Sequence, residues 1–182
     1  MQTNSGKRRL GLAFLRARRM KTFPTRPELE AVVICALENL FKHDDHLFSV
    51  DANERSISHC LANYIQEGLP TWDVDCEYNR NGHEPKVTNL PVENTTTDDE
   101  HARTVFPDII VHRRGTRSNL LAVEIKKSTS SISTQRDEQK LESYCRAPLL
   151  YKHALLLKLR TDQRQAERRT LKWFPTRPPS CG

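Results

Sequence analysis

The sequence lacks the marks of several common functional classes. No segment approaches the roughly 18 consecutive apolar residues of a membrane-crossing helix. There is no Cys-x-x-Cys pair and no Cys/His set at metal-ligand spacing, which excludes the usual zinc modules. No glycine-rich phosphate loop and no Gly-x-Ser-x-Gly elbow occurs, which excludes nucleotide cradling and serine hydrolysis in their familiar forms. The five cysteines, Cys35, Cys60, Cys76, Cys145 and Cys181, are odd in number, and four of them sit in apolar or helical surroundings. They read as reduced, buried thiols of a cytoplasmic protein.

Acidic residues are missing from the first 21 positions, which carry Lys7, Arg8, Arg9, Arg16, Arg18, Arg19 and Lys21. A continuous apolar core of the secretory type is missing there too. The segment suits an organelle-targeting peptide, a basic arm that touches phosphates, or a solvated tail. Residues 1–24 are expected to be a flexible basic arm and residues 25–182 one domain, a length that supports a real core. The whole chain carries a net charge of +6, from 29 Lys and Arg against 23 Asp and Glu, which favours a polyanionic partner such as nucleic acid.

Apolar residues from Leu29 to Phe41 recur at helical spacing after Pro27, predicting a helix over 27–42. A second helix starts near Asp51 or Asn53, with Ile57, Cys60, Leu61, Tyr64 and Ile65 on its inner face, and stops at Gly68. Glu54 lies on that inner face. Trp72 to Tyr78 alternates as a strand with one wet side, and 79–104 is a long polar stretch. Strands over 105–113 and 120–127 form a hairpin about Arg114–Asn119. A helix over 133–146 and a buried strand over 149–159 follow. Residues 160–172 are strongly basic.

Two features interrupt these apolar strands. Asp108 stands at the entry of Phe106-Pro107-Asp108-Ile109-Ile110-Val111. Glu124 and Lys126 stand inside Leu120-Leu121-Ala122-Val123-Glu124-Ile125-Lys126-Lys127. Burying a charge costs several kcal/mol unless it is paired or holds a metal. Residues two apart on a strand share a face, so Glu124 and Lys126 project together, away from Leu121, Val123 and Ile125. Asp108 lies on the neighbouring strand. Two carboxylates that converge beside a lysine suit Mg²⁺ or Mn²⁺, and the lysine can orient water or offset phosphate charge.

The order helix, three strands, helix, strand, with Pro107-Asp108 and Glu124-Ile125-Lys126 on the second and third strands, resembles the PD-(D/E)xK nuclease superfamily over roughly residues 51–159. The resemblance implies an α/β fold, a mixed sheet flanked by helices in the restriction-endonuclease-like order αβββαβ. It implies Mg²⁺- or Mn²⁺-dependent phosphodiester hydrolysis, in DNA before RNA. Asp108, Glu124 and the carbonyl of Ile125 would hold metal, Lys126 would handle the attacking water, and Glu54 would join them from the preceding helix. Arg113, Arg114, Arg117 and Lys140 are candidate nucleic-acid contacts. A homodimer would serve double-strand cutting, and no membrane is expected to be a partner. The alternative is a catalytically inactive nucleic-acid-binding or protein-interaction module of the same fold.

Overall fold

The computed structural model describes residues 23–78, 80–81, 84–85, 106–128, 135–160 and 168–175. The basic arm up to residue 22, the polar stretch from 86 to 105 and Cys181 lie outside the described residues. Helix α1 spans Arg26–His43, with Pro27 in its first turn. The Glu28 carboxylate accepts from both the backbone N–H and the hydroxyl of Thr25, each at 2.8 Å, and so closes the helix start. A short helix α2 spans Asp45–Ser49. Helix α3 spans Glu54–Gly68, and Asn53 caps it by accepting from Ser56 N–H at 2.8 Å. Helix α4 spans Gln135–Tyr144.

The strands are β1 (Asp73–Cys76), β2 (Arg80–Asn81), β3 (Glu84–Pro85), β4 (Ile109–His112), β5 (Asn119–Lys127), β6 (His153–Leu159) and β7 (Arg169–Phe174). Strands β2 and β3 pair as a small ribbon. The other five form a mixed sheet in the order β1-β4-β5-β6-β7, antiparallel except for the parallel pair β5-β6. The parallel pair needs a crossover, and α4 supplies it. Strand β7 runs from the end of the stretch expected to be merely basic into the apolar pair Trp173-Phe174. Its Leu171 and Trp173 pack inward while Thr170 and Lys172 are exposed, a two-residue alternation masked by the charge around it.

The sheet is covered on both faces. On one, Leu29, Leu37, Ile57 and Leu61 of α1 and α3 pack on Val111, Leu121, Val123, Ile125 and Leu157. On the other, Leu141 and Tyr144 of α4 pack on Ile110, Ala122 and Leu156. Coverage of both faces explains why β5 reads as a nearly continuous apolar run. The expected wet side of β1 is instead a charge network. Asp75, only 17% exposed, bonds His112 Nε2 at 2.8 Å and receives a two-pronged ion pair from Arg114. Its carboxyl is held below the ordinary carboxylate range by those two partners, against the opposing effect of burial.

The outer side of β1 is occupied by a side chain. Gln66 Oε1 accepts from Val74 N–H at 3.1 Å, while Gln66 Nε2 donates to the carbonyls of Trp72 and Leu69. The described cysteines are free thiols, as expected, but they are not buried. Cys35 is exposed, and Cys60, Cys76 and Cys145 are half-buried at the rims of the helices and β1. Among the described residues no helix is long and apolar enough to cross a membrane.

Helix α1 comes close to α3 at Gly68. A Cβ there would meet Val32 Cγ1 at 2.6 Å. Gly68→Ala should therefore lose about 1 kcal/mol or more by overpacking, where helix propensity alone offers a gain of about 1 kcal/mol. Urea unfolding checks this, and Gly68→Ala/Val32→Ala should be more stable than the sum of the two single changes.

Candidate active site

The β4-β5 register pairs Ile109 with Val123 and Ile110 with Ala122. One step further along the same antiparallel pair, Asp108 falls opposite Glu124. Buried Pro107 holds the preceding backbone extended as the chain enters the sheet. Asp108 is thereby aimed across the strand, and its Oδ2 accepts from the backbone N–H of Ile125 at 2.6 Å.

Glu124 is 5% exposed and faces α4. Its Oε1 accepts from the Tyr144 hydroxyl at 2.9 Å. Lys126, on the same face, places Nζ 3.6 Å from Asp137 Oδ2 in the first turn of α4. That Asp137 oxygen is buried and makes no hydrogen bond. From the opposite face, Glu54 at the start of α3 accepts from Lys127 N–H through Oε1 at 3.1 Å. The Lys127 ammonium secures the loop before that helix. It bonds Asp51 Oδ1 at 2.8 Å, the Asp51 carbonyl at 3.1 Å and the Ala52 carbonyl at 3.0 Å. Asp51 itself adopts a positive φ of 50°, a conformation that aspartate tolerates better than most residues.

The electrostatics follow from burial. Desolvation pushes the Asp108 carboxyl up to about 6. Glu54 adds to the rise, while the Ile125 N–H, Lys126 and Lys140 oppose it. Desolvation likewise pushes Glu124 up to about 7. Asp108 and Asp137 add to this, and Lys140 and the Tyr144 hydroxyl oppose it. The two acids titrate as a pair. Tyr144, buried against Glu124, is held in its neutral form.

The structure thus brings Asp108, Glu124, Lys126, Ile125, Glu54 and Lys140 to one end of β5. It does not bring the hairpin arginines there. Arg117 lies in the turn before Asn119, and Asn119 precedes Glu124 by five strand positions, roughly 17 Å along the sheet. Arg114 is engaged by Asp75 and Asp73, Arg113 lies over the Trp72 ring at 4.9 Å, and Arg117 is exposed. The basic stretch beyond residue 160 is also partly committed, since Arg168 pairs with Asp45 at 2.6 Å and Lys172 with Glu138 at 2.8 Å. Sequence reasoning missed Tyr144, Asp137 and Lys127 as members of the site. Tyr144 reads correctly as an inner-face residue, but its hydroxyl partner is set by how α4 lies on the sheet, and no local pattern carries that.

The donor set suits a hard cation. Asp108 and Glu124 each hold one oxygen in a hydrogen bond and leave the other without one among the described residues. Among the described residues no three His, Cys, Asp or Glu side chains form a ready-made ligand group. Mg²⁺ commonly takes only one or two carboxylates and fills its sphere with water and substrate phosphate. No family model, curated protein or solved structure matches the chain.

The raised acids make a signed prediction. In the unfolded chain they ionise near the ordinary values of 3.8 and 4.5, and in the folded protein near 6 and 7. Their contribution to stability is therefore full below the unfolded values and is lost as pH rises through the folded ones. The thermal midpoint of the metal-free protein should fall between about pH 4 and pH 7, and Asp108→Asn should lessen that slope. Thermal unfolding across that range checks it; an unchanged slope in the variant would show that burial does not load this pair.

Proposed function

We propose that the chain is a metal-dependent nuclease of the PD-(D/E)xK type that hydrolyses phosphodiester bonds, in DNA before RNA. The observation that carries the reading is the opposed pair Asp108 and Glu124. Both are desolvated, both are raised, and Lys126 lies on the same face as Glu124. The element order supports it: a helix bearing Glu54, the antiparallel strands β1, β4 and β5 with the β2-β3 ribbon inserted among them, a crossover helix, the parallel strand β6 and an added edge strand β7 can be read as an elaborated αβββαβ order.

In this reading Asp108, Glu124 and the Ile125 carbonyl hold Mg²⁺ or Mn²⁺. When bound, the cation supplies Lewis-acid polarisation of a phosphoryl oxygen and a water of lowered pKa. The residues of the chain do the rest. The Ile125 N–H and the Tyr144 hydroxyl fix the two carboxylates in place, so that little reorganisation is needed on loading. Lys126, within reach of Asp137, presents an ammonium that orients water and offsets phosphate charge. Lys140 adds positive potential over both carboxylates. Glu54, fixed by the Lys127 N–H, adds an acceptor from the α3 side. Four free thiols support a reducing, cytoplasmic setting. A dimer would bring two such sites to a duplex.

Supercoiled plasmid, single-stranded DNA and RNA, each incubated with and without Mg²⁺ or Mn²⁺, test the reading. Metal-dependent cutting is expected. Asp108→Ala and Lys126→Ala should each lower the rate by roughly 10²-fold or more while the fold survives. Full activity in either variant would sink the assignment. Binding without cutting under any metal would select the non-catalytic module.

A further inference from the structure

The end of the sheet away from the carboxylates carries cations of a different kind. Arg55, Arg114, Arg146 and Arg168 all have carboxylate partners. Among the described residues Arg26, Arg113 and Lys152 have none, and their side chains make no hydrogen bond there. Each instead lies over an aromatic ring: Arg113 over Trp72 at 4.9 Å, Lys152 over Phe23 at 5.4 Å and Arg26 over Trp173 at 5.6 Å. Phe23 joins the series by packing on Trp72 with ring centroids 5.2 Å apart.

The register shows how these groups are laid out. Trp72 immediately precedes β1, Arg113 follows β4, Lys152 precedes β6, and Trp173 lies on β7. Phe23 packs on Trp72 beside β1, and three residues on Arg26 lies over Trp173 of β7. Three cations with no carboxylate partner among the described residues thus sit on aromatic rings at this end of the sheet.

Two further observations mark the positive potential as uncompensated. His153, packed edge-on against Trp173, is held below its ordinary pKa by burial and then by Arg26 and Lys152, and no acid offsets them. The Trp173 indole N–H is buried and has no acceptor among the described residues. In sequence, the ridge continues from a segment with seven Lys and Arg and no acid.

We propose that this ridge of Arg113, Phe23, Lys152 and Arg26 is a second nucleic-acid contact, one that grips the sugar-phosphate backbone remote from the candidate active site. The choice of nucleic acid over an acidic protein rests on the nuclease reading and on Phe23, 41% exposed and able to offer its ring to a base. The ridge contributes affinity and placement, and takes no part in bond cleavage. It would hold one stretch of a strand while another reaches the carboxylates.

The test measures binding to a fluorescein-labelled 20-nucleotide DNA, single-stranded and duplex, in metal-free buffer across a salt series. The full chain carries Asp108→Ala throughout, so nothing is cut. Arg26→Ala/Arg113→Ala/Lys152→Ala should weaken binding at least tenfold in about 50 mM salt and lower the salt slope by about 2 to 3, as expected for three lost phosphate contacts. Arg26→Lys/Arg113→Lys keeps the charges and should bind within about threefold of the parent, which separates lost charge from lost packing. Unchanged affinity and slope in the alanine variant would overturn the proposal, as would poly-glutamate displacing the DNA at equal charge concentration. The two readings fail separately: ridge-dependent binding by a wild-type protein that never cuts defeats only the nuclease, and cutting by a protein whose alanine variant binds DNA undiminished defeats only the ridge.

Discussion

The hydrogen bond from the Ile125 N–H to the Asp108 carboxylate ties the candidate site to the fold. Strand β4 begins at Ile109, so Asp108 stands one residue outside the ladder with β5. The backbone donor that a further ladder residue would have used is taken by a side chain. One interaction thus completes the sheet edge and positions an acid. It also obliges Asp108 to remain in a desolvated place, beside Glu124, where neither ionises readily without an external positive charge.

Much of this was legible before any coordinates. The interruption of apolar strands by Asp108, Glu124 and Lys126 is a violation of burial rules, and such violations cluster at functional sites. The two-residue period of a strand placed Glu124 and Lys126 on one face, and the register agrees with that placement. Helical spacing found α1 and α3 and put Glu54 on the inward side. The rest depends on tertiary placement. The short β7 was hidden because alternation over six residues is a weak signal among so many cations. The partners Tyr144 and Asp137 come from a helix whose rotation on the sheet is set by Leu141 and its neighbours, not by its own charges.

Charge at the two ends of the sheet is managed by opposite means. At the β5 exit, acids are buried and answered by lysines and N–H groups. At the other end, Arg26, Arg113 and Lys152 are supported by rings and have no acid partner among the described residues. Arg114 is the exception that shows the contrast, for it is drawn back onto Asp75 and Asp73 and serves the fold. Net charge alone could not have separated these roles, because a cation on a carboxylate and a cation on an indole count equally in composition.

Gln66 carries a consequence for assembly. An outermost strand normally presents free amides that another chain can adopt. Here the side-chain amide of Gln66 imitates a neighbouring strand, giving its oxygen to Val74 and its nitrogen to Trp72. A foreign strand approaching β1 would find those positions already answered from within. The protein is thereby guarded on that flank against the templated stacking that leads to fibres.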